Sequence, residues 1–190
     1  MTAPVGEGMA HAATARAARA AAVVALSGLV ACGSSGSRHQ AGTGMRVTSP
    51  AFHAGDPIPV RYTCLGDNVS PPLGWSGVPS AAVELAVVVD DPDAPNGTFV
   101  HWVLAGLPPT RTVLAAGERP PGAVEARGSS GEVGYTGPCP PNHQTHHYRF
   151  TVYALRARSG VTAGASSSTA LPAITTNALA TGTLVARFGR

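Results

Sequence analysis

Lysine is missing from this sequence. All 13 basic side chains of the 190-residue chain are arginine. That usage, beside so much alanine and glycine, matches the codon bias of a GC-rich genome and says little about function. Charge is scarce as well, with Asp, Glu and Arg making up 12% of the residues and a formal net charge of +3. The arginines are scattered, and without a basic stripe or patch a nucleic-acid partner has no support. Catalytic signatures are equally lacking. There is no HExxH or CxxC spacing for a metal and no GxSxG elbow for an activated serine. No internal repeat is visible, which argues against a solenoid or propeller. No apolar run reaches the ~20 residues of a membrane-spanning helix.

What is present begins with an export signal. Arg16 and Arg19 precede "AAAVVALSGLVAC", a positive region followed by a short apolar one. Leu29-Val30-Ala31-Cys32 resembles the lipobox of bacterial lipoproteins, in which the cysteine is lipidated. Palmitate-type acylation of Cys32 with more than one chain would give stable anchoring. The expected organisation is a signal peptide over residues 1–31, the lipidated cysteine with a Gly/Ser tether over 32–44, and one domain over 45–190. The expected location is the cell membrane, on the extracytoplasmic side. With Cys32 acylated, Cys64 and Cys139 remain. Two thiols in an oxidising compartment favour a Cys64–Cys139 bridge over two separately buried thiols.

From Met45 onward, short alternating segments separated by turn residues indicate an antiparallel, mainly β fold. "MRVTSPAF" and "IPVRYTC" alternate, the second with Ile58, Val60 and Tyr62 on one face. "NVSPPLGWSGVP" reads as loop or edge. "AVELAVVVD" is a buried central strand, followed by the strand "FVHWVLAGLP". Residues 110–134 read as irregular surface. "HYRFTVYAL" is a further strand, "SSSTALPAITTNALATG" holds one or two short helices, and "TLVARFGR" is a last strand.

The chemistry-bearing residues cluster at the ends of these strands. Asp91-Pro92-Asp93-Ala94-Pro95 follows the central strand, and two prolines stiffen it around a carboxylate. On its own this is also an ordinary turn composition. Strict alternation puts His101 on a face with Phe99 and Val103, and Trp102 with Val100 on the other. A second proline loop carries Gly137, Pro138, Cys139, Pro140 and Pro141. It leads into His146 and Tyr148, which alternation places together, with His147 opposite.

"SPPLGW", "DDPDAP", "HW", "GYTGPCPP" and "HHYRFTVYAL" stand in the order and spacing of the phosphatidylethanolamine-binding protein family, nearest its bacterial Raf kinase inhibitor-like branch. The resemblance spans residues 45–190. It implies a large antiparallel sheet packed on a smaller one, with a few peripheral short helices and a small anion pocket at one end. Carried over, the pocket residues are Asp91, His101, Gly137, Cys139, Pro140, His146 and Tyr148. No catalytic residue, metal or cofactor is implied, and the protein is read as a non-enzyme. The expected function is an envelope-anchored binder of phosphate-containing small molecules or phospholipid headgroups. Asp91 would orient a histidine, the amides near Gly137 would act as donors, and Tyr148 would donate its hydroxyl to the anion. The alternatives are a protein-binding inhibitor with a partner in the envelope and, further off, a metal-dependent or acid–base hydrolase. A cytosolic kinase would not meet an exported lipoprotein. Two departures stand out. His147 occupies a position where the family usually has Arg, and the segment before Gly134 is short and lacks the family's usual Asn and Phe.

Overall fold

The computed structural model describes residues 44–190. The signal segment, Cys32 and most of the tether lie outside the described residues. The elements are β1 (Arg46–Thr48), β2 (Leu73–Ser76), β3 (Glu84–Asp91), β4 (Phe99–Leu107), β5 (Val113–Leu114), β6 (Val124–Glu125), β7 (Thr145–Leu155), α1 (Ser167–Thr175) and β8 (Ala178–Gly189). They build two antiparallel sheets, ordered β6-β4-β3-β7-β8 and β1-β2-β5. The β-branched run of β3 takes the centre of the large sheet, where both faces are covered.

The main core lies between the sheets. Val47, Leu73, Trp75 and Leu114 of the small sheet meet Val87, Val89, Trp102, Leu104, Phe150 and Val152 of the large one. On the other face, Ala86, Val88, Val103 and Ala105 pack against Ala170 and Ile174 of α1. That helix starts at Ser166, whose hydroxyl accepts from the Thr169 amide at 3.3 Å. It is the one α-helix among the described residues, and the alanine-rich stretch after it already belongs to β8.

Two readings change. "IPVRYTC" is not a strand but a loop with a 3₁₀ turn over Val60–Tyr62. Pro57 and Pro59 remove two ladder donors, so the segment keeps only a single bridge from Pro57 to Arg187. Val60 is left exposed while Ile58 and Tyr62 stay buried. Leu73–Ser76 is the middle strand of the small sheet rather than a loop or edge. Its prolines lie just before it, and Leu73 and Trp75 supply the alternating core face. Residues 110–134 are mostly irregular, as expected, but add the two-residue strands β5 and β6.

The outer side of β8 is not bare. Gly55 donates its amide to the Val185 carbonyl at 2.9 Å, Ile58 to Arg187 at 2.7 Å, and Arg187 back to Asp56 at 3.0 Å. Further along, Met45 donates to Thr181 at 3.2 Å. Gly182 permits that approach, because a Cβ there would lie 2.3 Å from the Met45 carbonyl oxygen.

Candidate functional site

Antiparallel order brings the end of β3, the start of β4 and the start of β7 to one end of the large sheet. Asp91, His101 and His146 therefore meet, although 55 residues separate the first and last. Asp91 and His146 are both buried, and Asp91 Oδ2 lies 2.7 Å from His146 Nδ1. The other carboxylate oxygen accepts from the Asp93 amide at 2.8 Å, which closes the turn that Pro92 stiffens. His146 Nε2 is 3.0 Å from Gln144 Oε1. That carboxamide can turn its oxygen or its nitrogen to the ring.

His101 reaches the site through a β-bulge. Val89 pairs with Trp102 and Asp90 with Val100, so His101 is the extra residue of β4. Strict alternation fails here. Trp102 joins the core between the sheets, whereas Val100 and Val103 join the layer under α1. The bulge turns His101 toward Phe99 and Tyr148, at ring-centroid distances of 4.8 and 5.3 Å. Its Nδ1 lies 2.7 Å from the Thr136 carbonyl oxygen. A carbonyl only accepts, so Nδ1 carries the hydrogen and Nε2 is left with a lone pair. Burial pushes this imidazole below the ordinary histidine value, against the opposing pull of the Thr136 carbonyl and the Asp91 charge.

The 136–141 loop forms the facing wall. It is tied to the 60s loop by the Cys64–Cys139 disulfide. The Cys64 amide also donates to the Pro138 carbonyl at 3.1 Å, and the Tyr135 hydroxyl to the Tyr62 carbonyl at 2.8 Å. Gly137 lines the site, but its amide is not turned to an occupant as expected. It donates to Asn68 Oδ1 at 2.7 Å, because the loop is pressed against the Thr63 backbone.

Between these walls lies a cavity of about 160 Å³, lined by Asp91, Phe99, His101, Gly137, Cys139, Pro140, His146 and neighbours. That is well below the roughly 300–1,000 Å³ of drug-sized sites, and suits a small group. Tyr148 is corrected in position. It is fully buried and packs edge-on behind His101 instead of forming the wall. Burial pushes its hydroxyl up, so it remains a phenol. Two buried side-chain polar atoms lack a protein partner among the described residues, His101 Nε2 and the Tyr148 hydroxyl. No three His, Cys, Asp or Glu side chains converge as a metal-ligand set among the described residues.

Sequence reading missed Asn68, Thr136 and Gln144, which hold the loop and the two imidazoles. Asn68 has φ +54°, and asparagine is among the few residues that adopt it readily. On the opposite face of β7, His147 Nδ1 meets Asp93 Oδ2 at 2.8 Å. The His147 amide donates to the same oxygen, and these bonds hold the Asp93 carboxyl below its usual value. His147 thus braces the Asp91 loop from behind.

The family described as phosphatidylethanolamine-binding protein matches residues 48–189. The chain belongs to that family. The Mycobacterium tuberculosis protein named "Putative lipoprotein LppC" is 46% identical over 145 residues, covering 76% of this chain and 72% of LppC. A UPF0098 protein of Methanothermobacter thermautotrophicus is 42% identical over 151 residues, with 77% and 99% covered. Among solved structures, Escherichia coli YbcL, described as a member of the mammalian PEBP family, superposes with a TM-score of 0.74 at 32% identity. The match covers 77% of this chain and 98% of YbcL.

Proposed function

We propose that this PEBP-family chain is a lipid-anchored binding module of the cell envelope, held on the extracytoplasmic side through Cys32. The cavity takes a small phosphate-type oxyanion, as a free phosphorylated molecule or a headgroup. In this reading residues 1–31 are removed, 32–44 tether the domain, and 45–190 bind. The relationship to LppC supports the anchor. The observation that carries the binding role is His101 Nε2, a buried ring nitrogen of a residue that lines the cavity, with no partner among the described residues. A buried polar atom left unpaired is costly, and a bound group or water is the usual remedy. An oxyanion answers it when a proton lies between its oxygen and the ring. His146 and Asp91 form the second polar wall, and the carboxylate fixes the ring.

Native mass spectrometry of the protein purified from its own cells tests this. A retained mass of a phosphate-containing molecule, lost on acid unfolding, is the expected result. Failure to retain or bind any such molecule, with the fold intact, would remove the proposal.

A further inference from the structure

We infer that the cavity selects oxyanions that bring their own proton, phosphomonoesters over phosphodiesters, because it turns acceptors toward its occupant. The inference rests on the oxyanion reading above and narrows it.

The wall contains no arginine. The nearby Arg190 donates its Nε to the Pro140 carbonyl. The usual substitute, a nest of loop amides, is largely closed. The Thr136 amide donates to the His101 carbonyl at 2.9 Å and the Gly137 amide to Asn68. Pro138, Pro140 and Pro141 have no amide hydrogen. Within 136–141, only Cys139 keeps an amide without a protein acceptor among the described residues.

The groups around His101 point the same way. Its Nδ1–H is committed to the Thr136 carbonyl, so Nε2 presents a lone pair. From β3, Asp91 adds a carboxylate to the cavity wall, and Asp90 lies on the far face, paired with Arg149. From β7, His146 faces Asp91 and Gln144, and Tyr148 stands behind the ring. The occupant therefore meets His101 Nε2 and Asp91 as acceptors, with few donors against them. Burial disfavours protonating His101 to reverse this.

A phosphodiester monoanion has no proton to offer. It sets an oxygen lone pair against the Nε2 lone pair unless the ring takes up a proton. A phosphomonoester has a second ionisation near pH 6, so part of it carries a P–OH at neutral pH. That hydroxyl donates to Nε2, and the lower charge eases the approach to Asp91. No bond to phosphorus is made or broken.

Calorimetric titration of the full chain carrying Cys32→Ser tests this at pH 7. Phosphoethanolamine is the monoester probe and glycerophosphoethanolamine the diester, with the same amine in both. The monoester is expected to bind at least about tenfold more tightly, and about tenfold tighter again at pH 5 as its protonated fraction rises. In His101→Gln, whose amide can present either a donor or an acceptor, the monoester-to-diester ratio is expected to fall toward one. Vesicles containing phosphatidate or phosphatidylglycerol give the lipid arm. Binding to phosphatidate alone assigns the monoester to a headgroup, and binding only to soluble phosphoethanolamine assigns it to a free metabolite. Equal affinities, or a tighter diester, would overturn the inference while leaving the oxyanion reading intact. No binding of any probe would overturn both.

Discussion

Asp91 and His146 stand diagonally across the β3–β7 pair, Oδ2 to Nδ1 at 2.7 Å, with both side chains 5% exposed. The other Asp91 oxygen is held by the Asp93 amide. The carboxylate thus serves two jobs at once, orienting a ring and closing the proline turn beside it.

Removing Asp91 strands a buried imidazole N–H. Asp91→Ala is expected to cost about 3 kcal/mol, the upper end for leaving a buried donor unsatisfied. Urea unfolding at pH 7 measures it. A loss below about 1 kcal/mol would show that the pair does not brace the site.

His101 makes stability depend on pH in a defined direction. Burial holds the folded imidazole below its ordinary value, so the unfolded chain takes up a proton that the folded chain resists. This contribution is complete above about pH 6.5 and declines as pH falls through that value. Its slope is no steeper than about 1.4 kcal/mol per pH unit, and it levels off below the folded value. His101→Asn keeps a donor for Thr136 and is expected to flatten that part of the profile. Parallel profiles for the two chains between pH 5 and 8 would refute the assignment.

Gly137 has no room for a methyl group. A Cβ there would lie 2.7 Å from Asn68 Oδ1 and 2.9 Å from the Thr63 backbone. Gly137→Ala is expected to destabilise by about 2 kcal/mol, in the range of overpacked sites. Amide hydrogen exchange across 136–141 should quicken. Unchanged exchange together with unchanged stability would mean that the loop does not press on Thr63.

The disulfide joins residues 75 apart in sequence. Loop-closure entropy sets its worth at about 4 kcal/mol. Replacing Cys64 and Cys139 together by Ser is expected to lower stability by up to that amount. The hydrogen bonds from Cys64 to Pro138 and from Gly137 to Asn68 should keep the loop in place. Denaturation midpoints of the two chains under non-reducing conditions give the answer, and equal midpoints would contradict it.

Much of this was legible in the chain. The run "ELAVVVDD" announced β3 because unbroken β-branched residues need cover on both faces. The period-two pattern of β7 put His146 with Tyr148 and His147 behind them, as the structure does. What failed was what period two cannot encode. The β4 bulge is a change of register against a partner strand, so nothing local in "FVHWV" reveals it. The Ile58–Tyr62 alternation looked like a strand, yet Pro59 within it and Pro57 just before it left too few donors for a ladder. The ties of Asn68 and Thr136 join a side chain to backbone far away in sequence, and Gln144 meets the His146 ring only because the chain turns just before β7. Composition is blind to both.

The seam along β8 has a consequence for how copies of this protein meet. Residues 55–58 lie where another chain's strand would add, while the opposite border, β6, is only two residues long. Neither border offers a template for growth, so crowding should not seed fibrils through this sheet while the fold holds.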